Sequence, residues 1–153
     1  MDTDLHAPEA LMTAAEPLID LAIAEDIGPG DATSQATLPP DLTLHATIMA
    51  KEPGVIAGLP VAGAVFQHVD PQIAFVALVE EGQEVVPGET VAEVSGPAES
   101  MLAAERIALN FLQRMSGIAS QTRSFVDAVA TTQATILDTR KTLPGYRELD
   151  KYA

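Results

Sequence analysis

With 153 residues and 16.0 kDa, the chain has room for one cored domain, or for a small domain plus part of another. Twenty-two acids against eight Lys and Arg give a net charge of −14 and a pI near 4.3, which excludes the basic footprint of a nucleic-acid binder. A hydrophobic content of 47% excludes intrinsic disorder, and the absence of Cys excludes disulfides, thiolate zinc sites and cysteine nucleophiles.

Glu9 to Ile27 is rich in helix formers, with Leu11, Leu18, Ala22 and Ile23 at near-helical spacing and Pro17 marking a first turn or a kink. Gly28, Pro29 and Gly30 stop that helix, and Asp31 to Ser34 cap the next element or turn. Leu42 to Ala50 alternates Leu42, Leu44, Ala46 and Ile48 with Thr43, His45, Thr47 and Met49, which predicts a half-buried strand ended by Pro53-Gly54. Gly58 to Val69 reads as a short helix. Ile73 to Val79 and Thr90 to Val94 read as strands, with Gly82 and Pro87-Gly88 in the turns between them. His45 and His68 have no second ligand type at metal spacing and are expected to be structural. No uncharged stretch spans a bilayer: the longest, Pro53 to Val69, is broken by Gly54, Gly58, Pro60 and Gly63. The acidic start, Met1 to Asp4, lacks the basic region of a Sec signal, so a cytoplasmic location is expected.

Pro97 to Met115 predicts a helix whose apolar stripe is Met101, Ala104, Ala108, Phe111 and Met115, with Arg106, Asn110 and Gln113 on another face. Ser116-Gly117 is expected to break it, and Ile118 to Ala130 to continue as a second helix. Thr135-Ile136-Leu137 reads as a short strand, followed by the polar loop from Asp138, Leu143-Pro144-Gly145, and a helical start from Tyr146 to Tyr152. Helix, strand, polar loop and helix in that order open an α/β repeat. One such unit cannot bury both strand faces, so further chain or a partner is expected to complete it.

The charge is divided. From Met1 to Ser100 the single cation is Lys51 against 17 acids; from Met101 to Ala153 seven cations face five acids. Cations withheld for one region suit an anionic small molecule, although an ordinary solvated helix face reads the same way. Arg106 on its helix, with Asn110 one turn on, offers a planar fork for a carboxylate; a surface ion pair is the alternative. Arg140 and Lys141 follow the predicted strand directly, where parallel α/β proteins carry their active-site loops, and Thr139 and Thr142 flank them with hydroxyls. A nucleotide-triphosphate cradle is unsupported, because no Gly-rich stretch ends in Gly-Lys-Ser/Thr.

Four stretches together resemble the quinolinate phosphoribosyltransferase family: Leu21 to Ser34, Glu105 to Ala119, Asp138-Thr139-Arg140-Lys141-Thr142-Leu143-Pro144-Gly145, and Arg147 to Ala153. The resemblance implies an α/β fold, with an N-terminal α/β sandwich domain over residues 1–104. The start of an incomplete α/β barrel would follow over residues 105–153. It implies transfer of a phosphoribosyl group from phosphoribosyl pyrophosphate to quinolinate with Mg2+, giving nicotinate mononucleotide, pyrophosphate and CO2 in NAD biosynthesis. By position, Arg106 would bind a quinolinate carboxylate in the neighbouring subunit of a homodimer. Thr139, Arg140 and Lys141 would bind quinolinate at the end of the first barrel strand. The family's later glycine-rich stretch, His-Arg pair, Lys and acidic metal ligands have no counterpart here, so the chain is expected to be the first half of such an enzyme and inactive alone.

Three other readings compete. One is the related pyrophosphorylase-like protein of molybdenum transport loci; another is a non-catalytic fragment or subunit. The third starts from Val79 to Ala92, which is similar to the hammerhead turn of biotinyl and lipoyl carriers. Those carriers need a Lys at a hairpin tip, and Lys51 and Lys141 are expected to lie far from that stretch.

Overall fold

A computed structural model of the protein describes residues 8–27, 39 and 41–153. Helix α1 (Pro8–Asp26) turns Leu11, Ala15 and Ile19 inward at four-residue spacing, and all three are buried. The predicted stripe is therefore partly displaced: Leu18, Ala22 and Ile23 flank the buried row and are half-covered. Pro17 lies inside the helix on its exposed side. The turn and cap expected over residues 28–34 lie outside the described residues.

Strand β1 (Thr43–Met49) leads to β2 (Gly54–Val55), helix α2 (Leu59–Val69), β3 (Ala74–Ala77), β4 (Glu84–Val85) and β5 (Thr90–Pro97). The antiparallel sheet has the order β1-β5-β3, and β2 pairs with β4 as a separate two-stranded ribbon. The pleat sorts the side chains. Phe75 on β3 stands opposite Val94 and stacks on Phe66 of α2, with ring centroids 5.9 Å apart. The next pair, Val76 and Glu93, is exposed on the other face. Two helices thus cover one side of the sheet, which is the α/β sandwich expected from the sequence.

Gly58 starts α2 for two physical reasons. Its φ is 99°, and a Cβ there would lie 2.7 Å from Met115 Sδ. Buried Val61, Ala62, Val65 and Phe66 then face the sheet and the long helix α3 (Ala98–Val129). The predicted stripe of α3 is buried in full: Met101, Ala104, Ala108, Phe111 and Met115, together with Ile107, Leu112 and Ala119. The expected break at Ser116-Gly117 is corrected: α3 runs through both residues. Gly117 faces open space, and an exposed glycine costs a helix only about 1 kcal/mol. The side chains of Ser116 and Ser120 meanwhile hold the helix to the segment around β2. Ser116 Oγ accepts the Ala57 N–H at 3.1 Å, and Ser120 Oγ accepts the Val55 N–H at 2.8 Å.

From Gln121 to Ala128 every residue of α3 is exposed, Phe125 among them. The strand expected at Thr135-Ile136-Leu137 is also corrected: no strand forms there, and Leu137 is 77% exposed. A strand is a paired object, and no described strand offers this segment a ladder. A turn at Leu143–Tyr146 and the short helix α4 (Arg147–Tyr152) follow, and Leu149 reaches the core. No helix among the described residues is long and apolar enough to cross a membrane.

Candidate substrate-binding site

The segment from Asp138 to Ala153 is fastened to the sandwich at several points. Tyr146 stacks on Phe111 of α3 at 6.3 Å between centroids, and the Arg114 guanidinium lies 4.9 Å from the Tyr146 ring centre. The same Arg114 donates from Nη2 to both carboxylate oxygens of Asp150, at 2.8 and 2.9 Å. Asp150 is only 11% exposed, so this contact is better shielded than an ordinary surface pair. At the end of α4, Tyr152 lies beside Glu81. Burial first, and the neighbouring Glu81 carboxylate second, push the Tyr152 phenol well above its ordinary value. Glu81 in turn accepts the N–H groups of Gly58 and Leu59 at 2.9 and 2.7 Å, capping α2 from a neighbouring loop.

Within the loop, Thr139 Oγ1 accepts the Lys141 N–H at 3.0 Å, an i to i+2 bond that leaves the hydroxyl proton for another acceptor. Lys151 Nζ reaches back to Asp138 Oδ2 at 3.1 Å. Arg140 and Lys141 are exposed and have no carboxylate partner within ion-pair distance among the described residues.

Arg106 stands apart from this loop in its bonding. Its side chain is 74% exposed, and Nη1 lies 3.2 Å from Asp26 Oδ1 at the end of α1. The ion-pair alternative weighed from the sequence is therefore what this chain contains at Arg106. Asn110 is exposed one turn further on. None of the four candidate residues lines the groove between β1 and α3. This groove, of about 810 Å³, is mainly apolar, bounded by Leu44, Ile48, Met101 and Leu109 with Glu105 and Gln113 at its polar side. The apolar face of β1 thus looks into a groove, which is why Leu44 and Ile48 are only half-covered.

Sequence reading missed Asp26, Glu84, Asp138 and Asp150 as partners of the cations. The separations carry no periodic signal; Arg106 and Asp26 are 80 positions apart. It also misplaced Lys51. Ala50 exchanges backbone hydrogen bonds with Glu89 and Gly88 at 2.9 and 2.8 Å, so Lys51 follows directly on a contact with the hammerhead-like stretch. His68 pairs with Asp20 across α1 and α2 at 2.9 Å.

Sandwich, long helix and cation-bearing loop define a mixed α/β protein. Residues 31–116 match the model of the quinolinate phosphoribosyl transferase N-terminal domain, and residues 118–153 match that of its C-terminal domain. The chain belongs to the quinolinate phosphoribosyltransferase family. It is 46% identical over 137 residues to the chloroplastic nicotinate-nucleotide pyrophosphorylase [carboxylating] of Arabidopsis thaliana, covering 89% of this chain and 39% of that protein. A probable nicotinate-nucleotide pyrophosphorylase of Synechocystis is 46% identical over 138 residues, covering 90% and 46%. Among solved structures, the nicotinate-nucleotide pyrophosphorylase of Francisella tularensis superposes with a TM-score of 0.87 at 34% identity, covering 92% of this chain and 50% of the other. That of Ehrlichia chaffeensis gives 0.83 at 36%, covering 90% and 50%. The chain therefore spans half or less of the length of these relatives.

Proposed function

We propose that the protein serves phosphoribosyl transfer to quinolinate. The ring nitrogen of quinolinate attacks the anomeric carbon of phosphoribosyl pyrophosphate, and pyrophosphate leaves with the bonding pair. The carboxylate beside the ring nitrogen then departs as CO2, giving nicotinate mononucleotide for NAD biosynthesis. The observation that carries this reading is the balance of charge in the loop after β5 and α3. Asp138 and Asp150 are neutralised by Lys151 and Arg114, while Arg140 and Lys141 keep their charge for a ligand. Two adjacent cations, one a planar fork and one a point charge, suit a pyridine dicarboxylate, and the Thr139 hydroxyl supplies a donor beside them.

Arg106 completes the proposal across a homodimer, offering its guanidinium to a quinolinate carboxylate in the partner's site. Its exposure supports delivery to a second subunit, and Asp26 is the counter-ion it exchanges for the ligand. Fixed cations orient the acceptor nitrogen toward the sugar carbon and hold two anions together. Mg2+ belongs to the same reading. Among the described residues no three His, Asp or Glu side chains converge to hold an ion, so the chemistry assigned to this chain is that of its own cations. A cytoplasmic location is proposed with it.

Isothermal titration of quinolinate into the 153-residue protein tests the part these residues play. The expected result is saturable binding that Arg140→Ala and Lys141→Ala each weaken. Heats equal to dilution, or binding indifferent to both substitutions, overturn the reading.

A further inference from the structure

Asp138 opens the loop that carries Thr139, Arg140 and Lys141. A bare carboxylate two residues before Arg140 would repel a dianion held by that loop. Lys151 Nζ sits 3.1 Å from its Oδ2 instead. The two residues are 13 positions apart, and they meet because the turn at Leu143–Tyr146 reverses the chain and α4 carries Lys151 back to the start of the loop.

The helix that brings Lys151 is itself held on three sides. Leu149 is fully buried, Arg114 grips Asp150, and Tyr152 is half-buried beside Glu81. Lys151 is 26% exposed against 56% for Asp138, so the ammonium is the anchored member and the loop carboxylate comes to it. As a stabilising contact an ion pair this exposed counts for little. Its electrostatic effect on the adjacent loop is of another kind: it cancels the one negative charge between residues 138 and 147, while Arg140, Lys141 and Arg147 stay positive.

We propose that Lys151 is a positioning residue for the anion site, pairing with Asp138 to withdraw its charge from the loop and to fix the loop's first residue. The identity of the ligand rests on the quinolinate reading; the electrostatic relation between Lys151, Asp138 and the loop does not.

The test separates the two. Paramagnetic relaxation of the backbone amide protons of residues 139–142 by an anionic and by a cationic nitroxide reports the local potential without any ligand. In the unsubstituted protein the anionic probe is expected to relax these protons more strongly. Lys151→Met should move the ratio toward the cationic probe, Lys151→Arg should keep it, and Asp138→Asn with Lys151→Met should restore it. Quinolinate titration should follow the same order, with Lys151→Met weakening binding by roughly three- to tenfold and the double variant recovering it. A relaxation ratio unmoved by Lys151→Met, or a double variant that recovers neither readout, overturns the role of Lys151. A ratio that moves as expected in a protein that binds no quinolinate upholds the electrostatic role and overturns the ligand assignment alone.

Discussion

Glu81 and Tyr152 bring the start of α2 and the end of α4 together. The carboxylate caps α2 through the N–H groups of Gly58 and Leu59 and also lies beside the phenol of Tyr152 in the last turn of α4. Without it, two helix N–H groups lose their acceptors and α4 loses one of its three anchors. Glu81→Ala is expected to destabilise the protein by about 1–3 kcal/mol in urea unfolding, with Glu81→Gln milder because one amide oxygen remains. The phenol of Tyr152 is raised above its ordinary value, so the native state holds that proton more tightly than the unfolded chain does. The resulting stability is complete below the unfolded phenol pKa of about 10 and declines as pH rises toward the folded value. Tyr152→Phe should flatten this alkaline limb; an unaltered limb in that variant would show that Tyr152 does not create it.

Asp70 shapes the acid side. Ser100 Oγ at the start of α3 donates to its Oδ2 at 2.7 Å, and the Gln72 N–H donates to Oδ1 at 2.9 Å. The Ser100 bond first, and the Gln72 bond second, hold its carboxyl below the usual carboxylate range, against a smaller opposing effect of burial. A depressed acid contributes stability above its unfolded pKa and loses it as pH falls through the folded one. Asp70→Asn should therefore remove part of the stability difference between neutral and strongly acidic pH, and Ser100→Ala should remove a smaller part. Thermal unfolding across that range measures both.

The sequence declared what periodicity and punctuation encode. The Met101 to Met115 stripe, α2 after Gly58, and the strands around Pro87-Gly88 all follow from local spacing. It misled where a residue's partner is remote. Ser116-Gly117 looked like a break because the hydrogen bonds of Ser116 and Ser120 to residues 55–57 cannot be read from their neighbours. Thr135 to Leu137 looked like a strand because β-branched and apolar residues mark one, yet pairing depends on chain elsewhere. The site divided the same way. Arg140 and Lys141 stood out by adjacency, while the acids that pair with Arg106, Arg114 and Lys151 come from α1, α4 and the loop start, at separations no motif contains.

Gly54 and Ser120 test that remote anchoring. A Cβ at Gly54 would fall 2.8 Å from Ser120 Oγ, the atom that accepts the Val55 N–H. Gly54→Ala is expected to cost about 1–3 kcal/mol by forcing the hydroxyl aside. Ser120→Ala should cost about 1–3 kcal/mol by leaving the Val55 N–H without its acceptor. The combined variant should fall short of the sum by about 0.5–3 kcal/mol, since removing the hydroxyl also removes the obstacle. Strict additivity in chemical unfolding would mean that the two residues do not share this contact.

Arg106 separates stability from function. Its bond to Asp26 is exposed, and pairs of that kind contribute about 0–1 kcal/mol to folding. Arg106→Ala and Asp26→Asn should both leave the unfolding midpoint nearly unchanged. Their effects on ligand should diverge under the proposed homodimeric site. Losing Arg106 removes a charge-assisted contact to a quinolinate carboxylate, expected to cost about 2–5 kcal/mol of affinity. Losing the Asp26 charge frees the guanidinium and should leave affinity equal or higher. Titration of quinolinate compares the three forms directly. Equal affinity in all of them would confine Arg106 to the ion pair it makes with Asp26, because a guanidinium engaged by the ligand cannot be removed without weakening it.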